Sequence, residues 1–528
     1  MQLRIAVVGG GIAGLAAARE LALTGGAGIL VELLEAAPGV GGKLVTADFA
    51  GHRVDVGPDS FLVRRPEAAA LATEVGVGDQ LAEPAVSGAF VAAGHRLRPL
   101  PEGLVMGLPT RPWPVLRSRT MSWRGVARLA LGALRSPLSY RVGLSGKLSG
   151  DRDGNSAAAT IGSSAVSPGR EHGGRAIALQ GGDADIGAVL EASLGKEVVQ
   201  RLADPMIGGI YAGSVYGMSA RAVFPPLVEA MRDPLGIVHG LVRQAPPAGR
   251  SGSTGGRPPT FNALRGGMAT LVDAVEASAA ALGCTVRPGS RVVAVQRSGR
   301  QWNLTLEVTA PGRGDGTHAA NIEERYDALV MAIPAYEVAP LFGPIAPEAA
   351  SVMAAIPYAS VSVVTILADG LFDAELPPGT GYLVPAGMYA LDDPARPLVT
   401  AGTFLSRKWS HLSGSGDALL RFSAGRHGDD RHLSYGDGDL VERAINEAGA
   451  LMRTEIVPRE TLVTRWERAL PQYLVGHLDR VENAARALRS LGPISLAGAS
   501  FGGIGIPACI KSGREAAASL LAQLDELA

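Results

Sequence analysis

The chain has 528 residues, of which 47% are hydrophobic and 19% charged, and its formal net charge is −1 at pH 7. This length suits about three domains, and the lack of a basic excess argues against a nucleic-acid partner. Two cysteines, Cys284 and Cys509, cannot form a disulfide framework, no Cys/His cluster has metal-ligand spacing, and we expect both thiols to be buried. The first strand begins at the N-terminus and no apolar run is long enough to span a bilayer, so we expect a cytoplasmic protein without a transmembrane segment.

The first predicted elements form a βαβ unit with a glycine-rich turn. An apolar strand over 3–8 leads into Gly9, Gly11 and Gly14, and a helix follows over about 13–23. Gly9 permits the turn, Gly11 lets the backbone approach a pyrophosphate at the helix N-terminus, and Gly14 lets the helix pack closely on the strand. Glu35 follows about 20 residues later, where a carboxylate can bind ribose hydroxyls. The unit predicts a dinucleotide site; a tight turn without a ligand is the alternative.

Three further stretches are rich in glycine or other small residues. The pair Gly41–Gly42 allows a second close backbone approach just beyond Glu35, and residues 54–62 are again extended and turn-rich. Residues 494–513 predict a strand, a glycine-rich turn and a helix near the C-terminus. A nicotinamide enzyme does not need this last turn, which favours another dinucleotide.

The middle of the chain changes from strand patterns to helical ones and back. Apolar residues at helical spacing predict helices at 126–134, 186–194 and 198–202. Residues 143–185 are rich in Gly, Ser and Ala and predict a flexible insertion, and residues 244–261 predict a linker. Further along, the pattern predicts a helix ending near 282, strands at 292–295, 302–308 and 328–333, and strands alternating with short helices over 334–483.

Six stretches, in order along nearly the whole chain, resemble the FAD-containing amine-oxidase superfamily and, within it, the protoporphyrinogen/coproporphyrinogen oxidases. They lie at 57–61 (GPDSF), 101–109, 204–213, 264–271, 471–477 (PQYLVGH) and 494–513. The resemblance implies an α/β (α+β) fold of the p-hydroxybenzoate-hydroxylase type, with a discontinuous Rossmann-like FAD domain, a mixed-sheet substrate domain and a helical domain. The implied boundaries are 1–86, 262–332 and 484–528 for the FAD domain, 87–104 and 333–483 for the substrate domain, 105–243 for the helical domain and 244–261 for the linker.

The resemblance also implies which residues contact FAD. The pyrophosphate turn is expected at 9–14, the ribose carboxylate at Glu35, the isoalloxazine at 57–60, adenine at Val292, and the flavin O2 side at the backbone N–H groups of 504–506. The full expected set is Gly9, Gly10, Gly11, Ile12, Ala13, Gly14, Glu35, Ala36, Gly42, Lys43, Gly57, Pro58, Asp59, Ser60, Val292, Trp466, Ile504, Gly505 and Ile506. For each glycine the alternative is turn geometry alone.

The implied reaction is the six-electron oxidation of a porphyrinogen by three O2, which gives three H2O2, in haem biosynthesis. Each methylene bridge lies between two electron-rich pyrroles, so loss of hydride leaves a delocalised cation and the flavin N5 can accept the hydride without a strong protein acid or base. No catalytic side chain is therefore assigned, and the sequence contains no Ser/His/Asp or paired-carboxylate pattern.

Five residues are candidates for the substrate side. Ile210 and Tyr211 match a cavity-lining stretch, Tyr336 is a candidate wall, and Arg64 and Arg65 follow the expected isoalloxazine contact. Arginine suits a propionate because its guanidinium binds carboxylates bidentately. The alternatives are a helix-to-loop turn, a core aromatic residue and two solvated surface arginines.

The stretch at 98–109 resembles the Gram-positive-type branch, which acts on coproporphyrinogen III. The mitochondrial and plant branch pairs an arginine with a propionate at a position that is Ala89 here, so that residue role does not carry over. We therefore expect coproporphyrinogen III, with its four propionates, as the substrate.

Protoporphyrinogen IX is the first alternative substrate. A flavin amine oxidase, a carotenoid-type desaturase and a flavin-less scaffold are further alternatives; Gly502–Gly503 after Phe501 leaves little of the aromatic cage that an amine oxidase needs. A transient contact with ferrochelatase is a hypothesis with no residue behind it. The sequence leaves open the oligomeric state, any contact with a membrane surface and the role of the insertion.

Overall fold

The computed structural model describes residues 2–109, 112–134, 182–244, 259–311, 317–386, 396–414 and 416–527. Most of the predicted insertion at 143–185 and of the predicted linker at 244–261 lies outside the described residues. Within them, no helix is both long and apolar enough to cross a bilayer, and no group of three or more metal-ligating side chains is found.

The strands, in chain order, are β1 (Leu3–Val8), β2 (Ile29–Leu34), β3 (Thr46–Phe49), β4 (His52–Asp55), β5 (Phe61–Leu62), β6 (Leu81–Ala82), β7 (Phe90–Ala92), β8 (Leu97–Pro99), β9 (Leu104–Val105), β10 (Leu108–Pro109), β11 (Phe261–Leu264), β12 (Thr285–Arg287), β13 (Ser290–Ser298), β14 (Gln301–Pro311), β15 (Thr317–Tyr326), β16 (Ala328–Met331), β17 (Tyr358–Phe372), β18 (Gly381–Leu383), β19 (Val399–Phe404), β20 (Asp417–Ala424), β21 (Pro458–Pro471) and β22 (Ile494–Leu496).

The α-helices are α1 (Ile12–Gly25), α2 (Glu67–Glu74), α3 (Pro112–Ser118), α4 (Trp123–Leu134), α5 (Ile186–Leu194), α6 (Lys196–Val198), α7 (Gly209–Tyr211), α8 (Ala220–Val223), α9 (Pro225–Ala230), α10 (Ile237–Gln244), α11 (Ala269–Ala281), α12 (Ala335–Phe342), α13 (Pro347–Ala354), α14 (Leu405–Lys408), α15 (Asp437–Met452), α16 (His477–Arg489) and α17 (Ile506–Asp525).

A five-stranded parallel sheet of order β12-β2-β1-β16-β22 forms the nucleotide-binding core, and its strands come from three distant parts of the chain. Helices α1, α11 and α17 cover one face, where Val7, Leu15 and Ile510 are buried together. The antiparallel sheet β13-β14-β15 and α12 cover the other, with Trp302 and Phe342 in the core. Because both faces are covered, β1 and β16 are buried apolar runs, as parallel sheets require.

The last helix, α17, crosses α1 at a point where only glycine fits. A Cβ on Gly513 would lie 2.1 Å from the carbonyl oxygen of Ala13, so the two backbones are in direct contact. A Cβ on Gly498, in the turn before α17, would lie 3.7 Å from Cβ of Ala13. The crossing therefore holds the C-terminal turn against the first turn of α1.

A seven-stranded mixed sheet of order β21-β17-β20-β19-β18-β7-β8 forms the second layer system. All its pairings are antiparallel except β18 with β7, which joins residues 90–91 to residues 382–383. One face packs against α15, where Ile366, Phe422 and Leu440 are buried. Side chains on the other face, such as Leu367 and Leu419, belong to the core of the nucleotide-binding region.

The helical region contains a departure from the expected α-helix at 198–202. Residues Val199–Gly208 wind as a π-helix that contains Pro205. Proline has no N–H for an i→i−4 bond, and wider turns of this kind recur at functional sites. The π-helix continues into α7 and ends at Ala212, whose φ of 45° is left-handed.

The structure adds a strand that the pattern did not predict, β15, whose residues are mostly polar. Cys284 is buried as expected, but Cys509 is only half-buried, at the edge of the core of the nucleotide-binding region. The domain boundaries stay a proposal, in which the parallel sheet and its helices form the FAD domain and the seven-stranded sheet forms the substrate domain.

Substituting Gly513→Ala is expected to lower the free energy of unfolding by about 1 to 3 kcal/mol, because the added Cβ forces α17 away from α1. Gly438→Ala, in α15, is the matched control: its Cβ would meet nothing within 4 Å, so helix propensity should make it neutral or slightly stabilising. Urea unfolding of both variants measures this. Equal behaviour of the two variants would contradict the proposed close crossing.

Candidate active site

The turn between β1 and α1 has the geometry of a phosphate cradle. Gly9 has φ of 107°, and a Cβ on Gly14 would lie 1.8 Å from the carbonyl oxygen of Gly9, so neither position accepts a side chain. A Cβ on Gly11, by contrast, would meet nothing within 4 Å, and Gly11 caps α1 without a side-chain hydrogen bond. The first N–H groups of α1 therefore face open space, which suits a pyrophosphate.

Glu35 lies beside this cradle, as predicted. Its carboxylate accepts hydrogen bonds from the backbone N–H of Gly10, at 2.6 Å, and of Ala37, at 2.7 Å. Each oxygen keeps a second lone pair for a ribose hydroxyl. The start of β13 runs alongside, because Ser290 N–H donates to the Glu35 carbonyl at 2.7 Å, and this brings Val292 to the same end of the sheet.

The second glycine pair lies directly on the first glycine-rich turn. Gly41 N–H donates to the carbonyl of Gly10 at 2.8 Å, and a Cβ on Gly42 would lie 3.2 Å from Cα of Gly11. Both Gly41 and Gly42 have positive φ, of 113° and 60°. Residues 41–43 thus form one wall of an elongated cleft that starts at the cradle.

Lys43 and Trp466 continue that wall towards the seven-stranded sheet. A Cβ on Gly57 would lie 1.9 Å from the Lys43 carbonyl and 3.7 Å from the Trp466 ring, whose Nε1 donates to the Val56 carbonyl at 2.8 Å. The side chain of Lys43 is exposed to solvent. The protein around its ammonium nevertheless removes part of its hydration and lowers its pKa. Burial raises the pKa of the Cys509 thiol, in the first turn of α17, to about 11, and the charge of Lys43 partly offsets the shift.

The N-terminus of α17 closes the cleft. Gly505 has φ of 100°, caps the helix without a side-chain hydrogen bond, and would place a Cβ in open space. The predicted residues Ile504, Gly505 and Ile506 therefore present backbone to the same cleft as Lys43. Two uncapped helix N-termini, of α1 and α17, stand at its two ends.

The side chain of Asp59, in the stretch expected to contact the isoalloxazine, is held by cationic partners. Its carboxylate pairs with Lys408 Nζ at 2.9 Å, accepts a hydrogen bond from Trp409 Nε1 at 3.2 Å, and lies 4.0 Å from Arg421 Nη1. Although burial opposes ionisation, these cations hold the pKa of the carboxyl below its usual range. Pro58 and the backbone of Ser60 remain on the cleft side, and Ser60 Oγ donates to Asp59 Oδ1 at 3.2 Å.

Lys408, Trp409 and Arg421 were missed by the sequence analysis. They lie far from residue 59 in sequence, and no local pattern marks them as its partners. Arg421 also donates to the carbonyls of Asp55 and Gly57, so it ties the seven-stranded sheet to the backbone of the expected isoalloxazine contact.

Arg64 and Arg65 are near enough to the buried Tyr211 for their charges to act on its hydroxyl. Burial raises the pKa of Tyr211, and the charges of Arg65 and Arg64 oppose that shift. Arg64 also donates to the sulfur of Met106 at 3.3 Å. Both arginines are exposed, whereas Tyr211 is buried; the adjacent Ile210 is 46% exposed.

Tyr211 belongs to an aromatic group that includes residues the sequence analysis did not single out. Its ring packs edge-on against Tyr473 at 5.7 Å, and Tyr473 stacks on His477 at 4.2 Å. Burial lowers the pKa of His477 to about 4, so its imidazole is neutral at physiological pH. Gln472 Nε2 donates to the Tyr211 carbonyl at 2.7 Å, which joins the backbone of Tyr211 to the PQY motif.

Tyr336 belongs to a second aromatic contact, with Tyr358. Its ring packs edge-on against Tyr358 at 4.8 Å, with the Arg468 guanidinium 3.6 Å from its centroid. Tyr358 in turn shares a 2.6 Å hydrogen bond with Ser500. Ser500 follows Ala499, whose carbonyl accepts a hydrogen bond from Tyr473, so Tyr336 is linked through Tyr358 to the aromatic group of Tyr211; its role as a pocket wall stays a prediction.

Comparison with known proteins identifies the family to which this chain belongs. The family model of flavin containing amine oxidoreductases matches residues 12–521. The chain belongs to this family. It is 28% identical over 529 residues to a coproporphyrinogen III oxidase of Bacillus subtilis, with 98% of each chain covered. It is 30% identical over 520 residues to one of Mycobacterium tuberculosis, with 98% of this chain and 97% of that one covered.

A crystal structure from Exiguobacterium sp. 255-15, named as a protoporphyrinogen oxidase, has the same fold. The TM-score is 0.77 at 25% identity, over 99% of this chain and 100% of that one. The predicted family and fold class are therefore confirmed, and the chain is a flavin-dependent oxidoreductase.

Gly11→Ala tests the cradle. The new Cβ meets no protein atom, so the variant should fold with its melting temperature little changed, whereas flavin affinity should fall by about tenfold or more. Flavin content after gel filtration and titration of the apoprotein measure the loss. Gly39→Ala, whose Cβ also meets nothing within 4 Å, is the control. Unchanged flavin binding in Gly11→Ala would exclude this turn as the phosphate site.

Asp55, at the end of β4, is buried with Thr46 Oγ1 and Met268 N–H donating to its Oδ1 at 2.6 and 2.8 Å. Burial raises its pKa from 3.8 to about 6, so the folded chain binds the proton more tightly than the unfolded chain. The free energy of unfolding should therefore fall as pH rises through that interval, by roughly 2 kcal/mol from this group.

Asp55→Asn should remove that contribution while keeping both hydrogen bonds, because the amide oxygen accepts them. The difference in unfolding free energy between variant and wild type should thus grow from pH 4 to pH 6 by about 2 kcal/mol, measured by urea unfolding. Asp48→Asn, with a 91% exposed side chain, is the control. A pH-independent difference for Asp55→Asn would contradict the elevated pKa.

Proposed function

We propose that this chain is an oxygen-dependent FAD oxidase that converts coproporphyrinogen III to coproporphyrin III in haem biosynthesis. Its full-length similarity to coproporphyrinogen III oxidases supports this function. The observation that carries the proposal is the set of close approaches that brings α17 to the α1 cradle near Ala13, Gly42 to Gly11, and Lys43 and Trp466 to Gly57.

FAD, rather than a shorter flavin, is favoured by the length and donor set of the cleft. The N–H groups of α1 would hold the pyrophosphate, Glu35 the ribose, and the start of β13 the adenine. Lys43, Gly57 and Trp466 would border the isoalloxazine, and residues 504–506 would donate N–H groups to its O2 side. Bound FAD supplies the hydride acceptor for the methylene carbon of the substrate.

The chain's own residues bind and orient the macrocycle. Tyr211 would border the flat rings of the substrate, and the buried Tyr473 and neutral His477 would pack behind it and keep this side apolar. Arg64 and Arg65 at its edge would pair with propionates. No side chain has to act as acid or base, because the carbon that loses hydride is stabilised by its own two pyrroles.

Protoporphyrinogen IX is the second candidate substrate, favoured by the fold shared with the Exiguobacterium protein named as a protoporphyrinogen oxidase. Two propionates rather than four would then occupy the cationic positions. A cytoplasmic location and a ferrochelatase contact stay predictions that no described contact tests.

The purified holoenzyme, supplied separately with coproporphyrinogen III, protoporphyrinogen IX and a panel of primary amines, tests the function. We expect fluorescent coproporphyrin III, three H2O2 per porphyrin, and FAD as the flavin released on denaturation. Flavin reduction by an amine, with neither porphyrinogen oxidised, would overturn the proposal.

The double variant Arg64→Gln/Arg65→Gln is expected to raise KM for coproporphyrinogen III about five- to tenfold and to leave kcat within about twofold, because lost charge-assisted bonds weaken binding alone. Arg53→Gln, another exposed arginine, is the control. Steady-state porphyrin fluorescence measures both constants. An unchanged KM would favour the alternative that Arg64 and Arg65 are solvated surface residues without a role in substrate binding.

A further inference from the structure

Arg426 lies in a short loop that follows β20. The loop contacts the segment 209–212, which carries Ile210 and Tyr211 and is called the wall below. The loop is held by Gly425 and Gly428, with φ of 94° and 79°, and by an isolated bridge between Arg426 and Asp429. The next residue, His427, donates its backbone N–H to the carbonyl of Ala212 at 2.7 Å. The loop thus contacts the end of the same segment that carries Ile210 and Tyr211.

The guanidinium of Arg426 reaches the seven-stranded sheet beside this wall. Its Nη2 donates to the Val384 carbonyl at 3.4 Å, a long hydrogen bond. The neighbouring residue Leu383 faces the wall, because a Cβ on Gly209 would lie 3.6 Å from its Cδ2. Arg426 is therefore placed where the sheet meets the wall.

This arginine has more donors than partners. It makes no ion pair within the described part of the chain, and the Val384 carbonyl is its one hydrogen-bond acceptor there. Burial lowers its pKa, and Asp204 and Asp429 only partly offset this effect. A half-buried guanidinium with unused N–H groups is costly unless an anion joins it.

The surrounding acids are already engaged. Asp429 pairs with Arg431 at 2.8 Å and with Arg396 at 3.6 Å. Asp204 Oδ1 accepts from Ser214 Oγ at 3.0 Å and from Val215 N–H at 2.9 Å, which fixes the turn after the π-helix. Among the described residues, the site around Arg426 therefore carries three arginines against two committed carboxylates.

We propose that Arg426 binds a carboxylate of the substrate and favours a tetracarboxylate over a dicarboxylate porphyrinogen. This inference rests on the proposed function and adds a second cationic position, contributed by a different element from Arg64 and Arg65. A macrocycle with four propionates around its rim presents carboxylates to both positions. One with two propionates, both on adjacent rings, engages fewer of them.

A purely structural role makes a different prediction. If Arg426 only attracted Asp204 to dock the loop on the wall, removing either charge would weaken both substrates alike. If it binds substrate, Arg426→Gln weakens the tetracarboxylate, whereas Asp204→Asn removes a competing negative charge and keeps both hydrogen bonds through its amide oxygen. Arg426→Gln should then raise KM for the tetracarboxylate, whereas Asp204→Asn should not.

The experiment compares KM and kcat of the wild-type holoenzyme, Arg426→Gln, Arg426→Lys and Asp204→Asn on coproporphyrinogen III and protoporphyrinogen IX. Arg426→Gln should raise KM for coproporphyrinogen III about tenfold and for protoporphyrinogen IX about twofold or less, with kcat within about twofold. Arg426→Lys should recover part of the loss, because it keeps the charge but not the fork. Asp204→Asn should leave KM for coproporphyrinogen III unchanged or lower.

Equal KM increases on both substrates, or an Asp204→Asn that reproduces Arg426→Gln, would overturn the role of Arg426 while leaving the proposed function intact. A wild-type enzyme that oxidises neither porphyrinogen would overturn the proposed function itself. Should Arg426→Gln fail to retain flavin, the other two variants still decide the question. Arg426→Lys should raise KM for coproporphyrinogen III, whereas Asp204→Asn should not.

Discussion

The contact of two helix backbones, α1 and α17, underlies the rest of the site. Because Gly513 has no side chain, α17 crosses α1 at the level of Ala13 and holds the C-terminal turn beside the first glycine-rich turn. Both helices then begin at the same cleft, each with an uncapped N-terminus. A dinucleotide with a negative pyrophosphate and an electron-accepting ring is anionic at both places, so the two helix dipoles favour it at each end.

The seven-stranded sheet is coupled to this cleft by charge rather than by apolar packing alone. Asp59 is shared by Lys408, Trp409 and Arg421, and Arg421 also donates to the backbone of Gly57. Removing one partner would leave an unpaired charge in a protein-surrounded place, which costs far more than the pair contributes. The ring-facing stretch at 57–60 is therefore positioned by residues of the other sheet.

Sequence patterns predicted the parts of the site whose residues lie close together in the sequence. Gly9, Gly11, Gly14 and Glu35 follow from strand, turn and helix signals within one βαβ unit, and the structure places them together. The partners of Asp59 were not predictable, since they depend on long-range packing. The strand β15 was missed because its side chains are mainly polar, with Glu324 paired to Arg4 and Arg287 at the sheet edge instead of entering the core.

The distribution of polarity in the cavity follows from the reaction. Hydride loss from a bridge carbon creates a positive charge that the substrate delocalises itself, so a cation at the ring centre would oppose it. In the proposed site, Tyr211 and the buried Tyr473 and His477 behind it, neutral because burial lowers its pKa to about 4, would keep that centre uncharged. Cations belong at the rim, where propionates project, and arginine fits because it stays charged when partly buried. An apolar side with arginines at its edges is the arrangement that would bind the proposed substrate without penalising the step.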